Sequence, residues 1–190
     1  MRYPTHLEIP YQDHQSRLSV LLRLPLVLPT MLIVNFFAPF MSLSRFLVGL
    51  SIVFFAHYPK WLFELNMSSC RFEFRSLVYL LLLTDEYPTF QKNAGILVEI
   101  DYPDEDDVSL ARLLPLLKWL FAIPHVIILS LFSLLLCLIT PVCWLSVLLM
   151  GRYPDRVFSF AGGVLRWWLR VYAYGWMLAT DQYPPFSLEE

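Results

Sequence analysis

Charge is scarce in this chain. Only 16% of its 190 residues are Asp, Glu, Lys or Arg, against 57% hydrophobic and 16% aromatic, and the net charge is −2 at pH 7. A soluble domain carries about 25% charged residues, so the composition excludes that class and leaves a membrane protein. The missing basic excess excludes a nucleic-acid partner, whose phosphates need cations gathered on one face. Cysteine is sparse too: Cys70, Cys137 and Cys143 show no CxxC or zinc-like spacing, and two lie in an apolar stretch, where thiols act as small hydrophobes. No Gly-rich phosphate loop, nucleophile elbow or pair of catalytic carboxylates is found. His6, His14, His57 and His125 form no i, i+4 pair of the kind a helical metal site uses. The sequence therefore points away from an enzyme and calls for no catalytic residue, metal or cofactor. The polar stretch Met1 to Ser16 lacks the basic start and apolar middle of a signal peptide, and is expected to be retained.

What is present is present twice. Leu7-Glu8-Ile9 with Tyr11 returns as Val98-Glu99-Ile100 with Tyr102. Arg17-Leu18, Pro29, Tyr58-Pro59, Arg71 and Arg75 return 95 positions later as Arg112-Leu113, Pro124, Tyr153-Pro154, Arg166 and Arg170. The phrase Thr84-Asp85-Glu86-Tyr87-Pro88 returns as Thr180-Asp181-Gln182-Tyr183-Pro184. Residues 1–91 and 92–190 thus read as two tandem copies of one membrane unit.

Each copy holds an apolar run too long for one crossing. Ala111 to Met150 has only Arg112 and Lys118 as charges, and its 40 residues would make about 60 Å of helix, twice the hydrocarbon thickness. A helical hairpin is expected, broken at Ile139-Thr140-Pro141, with the matching break of the first copy at Pro39 to Ser44. The second arms, about 21 to 24 Å long, leave full crossing and re-entry both open. Arg45, just past the first turn, favours crossing, because a re-entrant turn would strand its charge in hydrocarbon at about 2.5 to 3.5 kcal/mol. Four crossings would place thirteen of the fourteen Lys and Arg residues on the side of the termini, making that side cytoplasmic.

The third segment of each copy is amphipathic. Phe158 to Ala179 is aromatic-rich, with Arg166 and Arg170 four apart, and Arg71 and Arg75 repeat the spacing. Residues at i and i+4 share a helix face. The reading is an interface helix with its arginines at lipid headgroups; a third crossing with paired arginines is the alternative. Asp85 and Asp181 are placed to pair with these arginine stripes. The Tyr-Pro phrases mark interface corners. Ahead of each hairpin, Thr5 to Ile9 and Ile96 to Tyr102 alternate like half-buried strands and are able to pair with each other. His125 reads as structural or interfacial. The acidic run Asp101, Asp104, Glu105, Asp106 and Asp107 lacks the EF-hand glycine and closing glutamate, and reads as a solvated loop ending in a helix cap at Asp107 or Ser109.

One family shares this order of phrases. Glu99-Ile100-Asp101-Tyr102-Pro103, Arg112-Leu113-Leu114-Pro115 with Lys118-Trp119, Ala122-Ile123-Pro124-His125, Gly151-Arg152-Tyr153-Pro154, Leu165-Arg166-Trp167 and Thr180-Asp181-Gln182-Tyr183-Pro184-Pro185-Phe186 resemble the bacterial domain-of-unknown-function family 4389. The resemblance covers nearly all of the second copy. The first is a degenerate version, with His57 for Arg152 and Lys60 for Asp155. It implies a small bacterial membrane protein and brings no activity.

The expectation is an all-α integral membrane protein of the bacterial inner membrane, multi-pass and with cytoplasmic termini and short cytoplasmic β-strands. Each repeat would be a transmembrane hairpin plus an interface helix. Its partners would be membrane lipids and a membrane protein or larger complex, contacted through Trp119, Trp144, Trp167 and Trp168, with Arg71, Arg75, Arg166 and Arg170 at the headgroups. Its expected role is a non-enzymatic scaffold or accessory subunit; the alternative is a lipid or small-solute transport component acting as an oligomer.

Overall fold

The structure is a computed structural model that describes residues 3–12, 15–91, 95–103 and 114–189. The acidic residues Asp104 to Asp107, the cap expected at Asp107 or Ser109, and Arg112 lie outside the described residues. The order of elements is β1 (Thr5–Glu8), α1 (Arg17–Phe55), α2 (Lys60–Leu80), β2 (Leu97–Ile100), α3 (Leu114–Met150) and α4 (Asp155–Val171), which continues into a π-helical turn at Tyr172–Trp176.

The two strands pair, antiparallel, with Thr5 opposite Ile100 and Leu7 opposite Val98. Leu7, Val98 and Ile100 are buried, while Glu8 is exposed. This is the alternation read from the sequence. The apolar side of the ribbon is covered by α2 and α4, which supplies the support that an isolated two-stranded ribbon lacks in water.

The hairpin turns are not found. Helix α1 runs through Pro25, Pro29 and Pro39, and α3 runs through Pro124 and Pro141, with no loop inside either. Hydroxyls beside the expected breaks fold onto the helix instead. Ser42 Oγ donates to the Ala38 carbonyl at 2.9 Å, and Thr140 Oγ1 to the Leu136 carbonyl at 2.7 Å. An interior proline removes one backbone donor, but in an apolar surrounding helix is still the cheapest way to satisfy the rest. Two helices long and apolar enough to cross a membrane therefore stand where four crossings were expected.

Each long helix ends at a residue with positive φ, Ala56 (51°) and Gly151 (72°), followed by the Tyr-Pro corner. Ser51 Oγ donates to the His57 carbonyl at 2.8 Å, and Ser146 Oγ to the Arg152 carbonyl at 3.2 Å, closing both corners alike. Pro59 and Pro154 then sit immediately before α2 and α4 in extended conformation. The corner tyrosines Tyr58 and Tyr153 are buried within the chain, and Tyr58 OH donates to the Met177 carbonyl at 3.0 Å.

The amphipathic helices face inward with a regular stripe. Leu62, Phe63, Asn66, Met67, Cys70 and Phe74 on α2 are buried, at the i, i+3, i+4 spacing of a core face. Arg75 and Arg170 leave these helices to hold the chain that follows. The Arg75 guanidinium donates to the carbonyls of Thr89 (2.9 Å), Gln91 and Ile96 (3.0 Å). The Arg170 guanidinium donates to those of Glu189 (2.9 Å) and Ser187. The tail can approach α4 because residue 163 is glycine: a Cβ there would stand 2.9 Å from the Leu188 carbonyl oxygen.

These tethers make a prediction. Arg75→Met or Arg170→Met leaves two or more carbonyls without their charged donor, and should lower stability in detergent by about 1–3 kcal/mol. Arg71→Met, at a half-buried position, should lower it by about 0.5 kcal/mol or less. Thermal unfolding of the three variants checks this, and equal losses would contradict the tether role.

Candidate functional site: an apolar outer face and the charge pairs behind it

The feature that sets this fold apart is how little of its most apolar helices is buried. In the apolar windows of α1 and α3, 24% and 17% of residues are buried. Leu32, Phe36 and Phe55 on α1 are 71%, 66% and 77% exposed, and Trp119, Leu138 and Met150 on α3 are 70%, 67% and 74% exposed. A soluble core helix is buried on such residues. An exposed apolar surface of this extent marks contact with a membrane or another protein.

Behind this face lie the described cations of the apolar spans, Arg23, Arg45 and Lys118, and each meets a carboxylate. Arg23 is 3% exposed and reaches Asp85 at 2.7 Å and the Tyr79 carbonyl at 3.0 Å, with its guanidinium 4.5 Å from the Tyr79 ring centre. Lys118 is 1% exposed and does the same 95 positions later. It reaches Asp181 at 2.6 Å and the Thr180 carbonyl at 2.8 Å, 5.4 Å from the Tyr174 ring centre. The expected pairing of Asp85 and Asp181 with the arginine stripes is thus not found: Asp85 pairs with Arg23 and Asp181 with Lys118, and these pairs join neighbouring elements. The signal for this was in the sequence, since both cations and both carboxylates recur at a spacing of 95 or 96.

Arg45 has no such counterpart; Thr140 stands at the matching position. Its guanidinium contacts Glu73 of α2 at 3.2 Å and donates to Tyr172 OH. Tyr172 OH in turn donates to the other oxygen of Glu73 at 3.1 Å, and Ser69 Oγ donates to Glu73 at 3.0 Å. Burial holds the Tyr172 phenol well above its ordinary pKa, so it acts as a neutral hydrogen-bonding group in this cluster. An unpaired Arg45 favours full crossing, because its charge would need water on the far side. The Glu73 partner removes that support.

The remaining expected site residues separate into two groups. Arg71 and Arg166 are half-buried, whereas Arg75 and Arg170 are 2% and 4% exposed and direct Nη donors to backbone carbonyls. Burial lowers the pKa of both buried guanidinium groups. Trp119 lies open on the apolar face, but the other three tryptophans are engaged within the chain. Trp144 Nε1 donates to the Val20 carbonyl at 3.1 Å, Trp167 Nε1 to His125 Nδ1 at 3.1 Å, and Trp168 Nε1 to Ser133 Oγ at 3.0 Å. His125, fully buried, stacks on Phe186 with ring centres 3.9 Å apart. Its geometry is that of a packing residue tying α3, α4 and the tail together. Among the described residues no group of three or more His, Cys, Asp or Glu stands close enough to hold a metal ion.

Residues 113–187 match the family model described as Domain of unknown function (DUF4389). The match covers α3, α4 and the tail tethered by Arg170, so the Lys118–Asp181 pair and the His125 aromatic cluster both fall inside it. No curated protein and no solved structure matches the chain.

The ion pairs are testable one at a time. Asp85→Asn and Asp181→Asn each leave a buried cation without its counter-charge, and should lower stability in detergent by about 1–3 kcal/mol, the partial exposure of the carboxylates being the reason the loss stays below that of a fully buried pair. Glu64→Gln, on the exposed side of α2, is the control. Thermal unfolding equal to the control for both Asp variants would show that these pairs hold nothing together.

Proposed function

We propose that the chain is a non-enzymatic scaffold of the bacterial inner membrane, an accessory subunit that anchors through α1 and α3 and offers its polar layer and termini to the cytoplasm. The observation that carries this reading is the exposed apolar face of the two long helices, with Arg23, Arg45 and Lys118, the described cations within their apolar spans, turned inward to a partner. The outer surface offers shape and hydrophobicity rather than reactive groups. Lipid, or the apolar flank of another membrane protein, is what such a surface accepts.

Tandem duplication fits the same reading. Paired devices support it: the Ser51 and Ser146 corner bonds, the positive φ of Leu82 (64°) and Leu178 (57°), and the two cation–Asp pairs. The family match begins only at residue 113, which agrees with a first copy that has diverged. Two unequal copies suit a subunit whose halves meet different neighbours. Among the four proposed contact tryptophans, Trp119 is the one exposed.

A lipid-handling reading draws on one feature, a mostly apolar groove lined by Ile33, Phe37 and Met41 of α1, Leu65 and Phe72 of α2, and Phe90. Its walls would suit an acyl chain.

Extraction into native-lipid particles separates these readings. The scaffold predicts the 22.3 kDa chain together with a second membrane protein at fixed stoichiometry. A lone chain carrying bound lipid would shift the assignment to lipid handling. Release of the chain from membranes by alkaline carbonate would overturn the membrane reading itself.

A further inference from the structure

The elements stack in a fixed order. Helices α1 and α3 pack on each other and on α2 and α4, and the ribbon packs on α2 and α4, α2 holding β2 and α4 holding β1. The lipophilic helices form one side of the molecule, the amphipathic helices the middle, and the ribbon the other side. Arg23 and Arg45 are separated by about 33 Å of helix contour, yet both turn toward the middle layer, to Asp85 and Glu73. On α1, polarity therefore changes across the helix and not along it.

That direction of polarity decides between two ways of meeting a bilayer. A helix that crosses is polar at its ends and apolar between them. Helix α1 instead exposes Leu21 and Leu22 near its start, Phe36, Phe37 and Phe40 in the middle, and Phe54 and Phe55 at its end. A straight helix of this length would measure about 58 Å, nearly twice the hydrocarbon thickness, and the usual tilt of about 20° leaves most of the excess outside. The overhang would be bare apolar surface in water.

The ribbon gives the second argument. Arg75, within α2, holds the Ile96 carbonyl beside β2, and α2 lies along α1. Were α1 to cross, the middle of α2 and the ribbon on it would sit at hydrocarbon depth. A two-stranded ribbon has two open backbone edges, and irregular or open-edged backbone is not tolerated against lipid. This one also shows Glu8 and Asp101 outward, and Glu64 is exposed on α2.

We propose that the chain enters the bilayer from one side only: α1 and α3 lie embedded in one leaflet, both ends of each emerge on the same face, and α2, α4 and the ribbon stack above them toward water. This rests on the membrane reading and deepens it. Its ligand is the acyl region of one leaflet, met edge-on by a pair of long apolar helices. The paired Arg45 is part of the design, because a cation facing the polar layer needs no exit on the far side.

Pro10→Cys, ahead of α1, and Lys60→Cys, past its end, are both exposed positions and are placed singly in a Cys137→Ser background, Cys70 and Cys143 being buried. Sealed right-side-out and inside-out vesicles of the expressing cell are treated with a membrane-impermeant maleimide. One-sided embedding predicts that both cysteines react in the same vesicle orientation and neither reacts in the other. Reaction in opposite orientations, or any pattern other than same-side reaction, overturns it. The unsubstituted chain gives a second readout if a variant fails to fold: protease from one side should cut it and protease from the other should leave it whole, and cutting from both sides overturns the proposal. Carbonate washing of the same vesicles distinguishes a wrong orientation from a wrong membrane assignment, since only the latter releases the chain.

Discussion

A charge carried on an apolar helix has to find a counter-charge before that helix can meet lipid, and this constraint organises the fold. Arg23, Arg45 and Lys118 are the described cations within the two long apolar windows, and each is closed by a carboxylate outside those windows. Desolvating a guanidinium or ammonium is expensive unless the remaining donors are also filled. Here one further donor of each is directed to the Tyr79 carbonyl, the Thr180 carbonyl or the Tyr172 hydroxyl, while Nε of Arg23 and of Arg45 is buried without a hydrogen bond. Aromatic rings beside all three cations add a further favourable contact. With the cations paired inward, the outward faces of α1 and α3 are left mainly to Leu, Phe, Ile and Val.

The same logic reaches the middle layer. Helices α2 and α4 and the segments just after them carry the carboxylates and rings that meet the cations of the long helices, Glu73 and Tyr79 on α2 and Asp85, Tyr172, Tyr174 and Asp181 beyond the helix ends, and both helices carry an arginine that fastens the polar segment after it. Arg75 and Arg170 each gather carbonyls of a loop or tail that has no regular hydrogen bonding of its own. Buried carbonyls need donors, and one guanidinium supplies several. The fold is thus held along two seams of arginine and lysine chemistry, one between the lipophilic and amphipathic layers and one between the amphipathic helices and the chain that caps them.

Much of this was legible in the sequence where local pattern decides. The alternation in Thr5 to Ile9 and Ile96 to Tyr102 gave two strands, and they pair. The i, i+4 spacing of Arg71 with Arg75, and of Arg166 with Arg170, gave helices, but not which arginine points inward, because that depends on where Thr89, Ile96 and Ser187 arrive in space. Pro39 and Pro141 suggested turns by their local chemistry. The cost of leaving backbone groups open in an apolar setting outweighs a single lost donor, and both helices continue. Arg45 misled for a related reason. Its burden was estimated as that of a lone charge, and the partner, Glu73, lies 28 residues away on another helix.

If the account is right, the outer face of α1 is in lipid from end to end. Nitroxide probes at Leu22, Leu32, Leu43 and Phe54, all exposed positions, would report this in liposomes by power saturation against oxygen, which partitions into lipid, and a water-soluble nickel chelate. All four sites should be oxygen-accessible and shielded from nickel. Nickel access rising sharply at Leu22 and Phe54, with shielding confined to the centre of the helix, would contradict it.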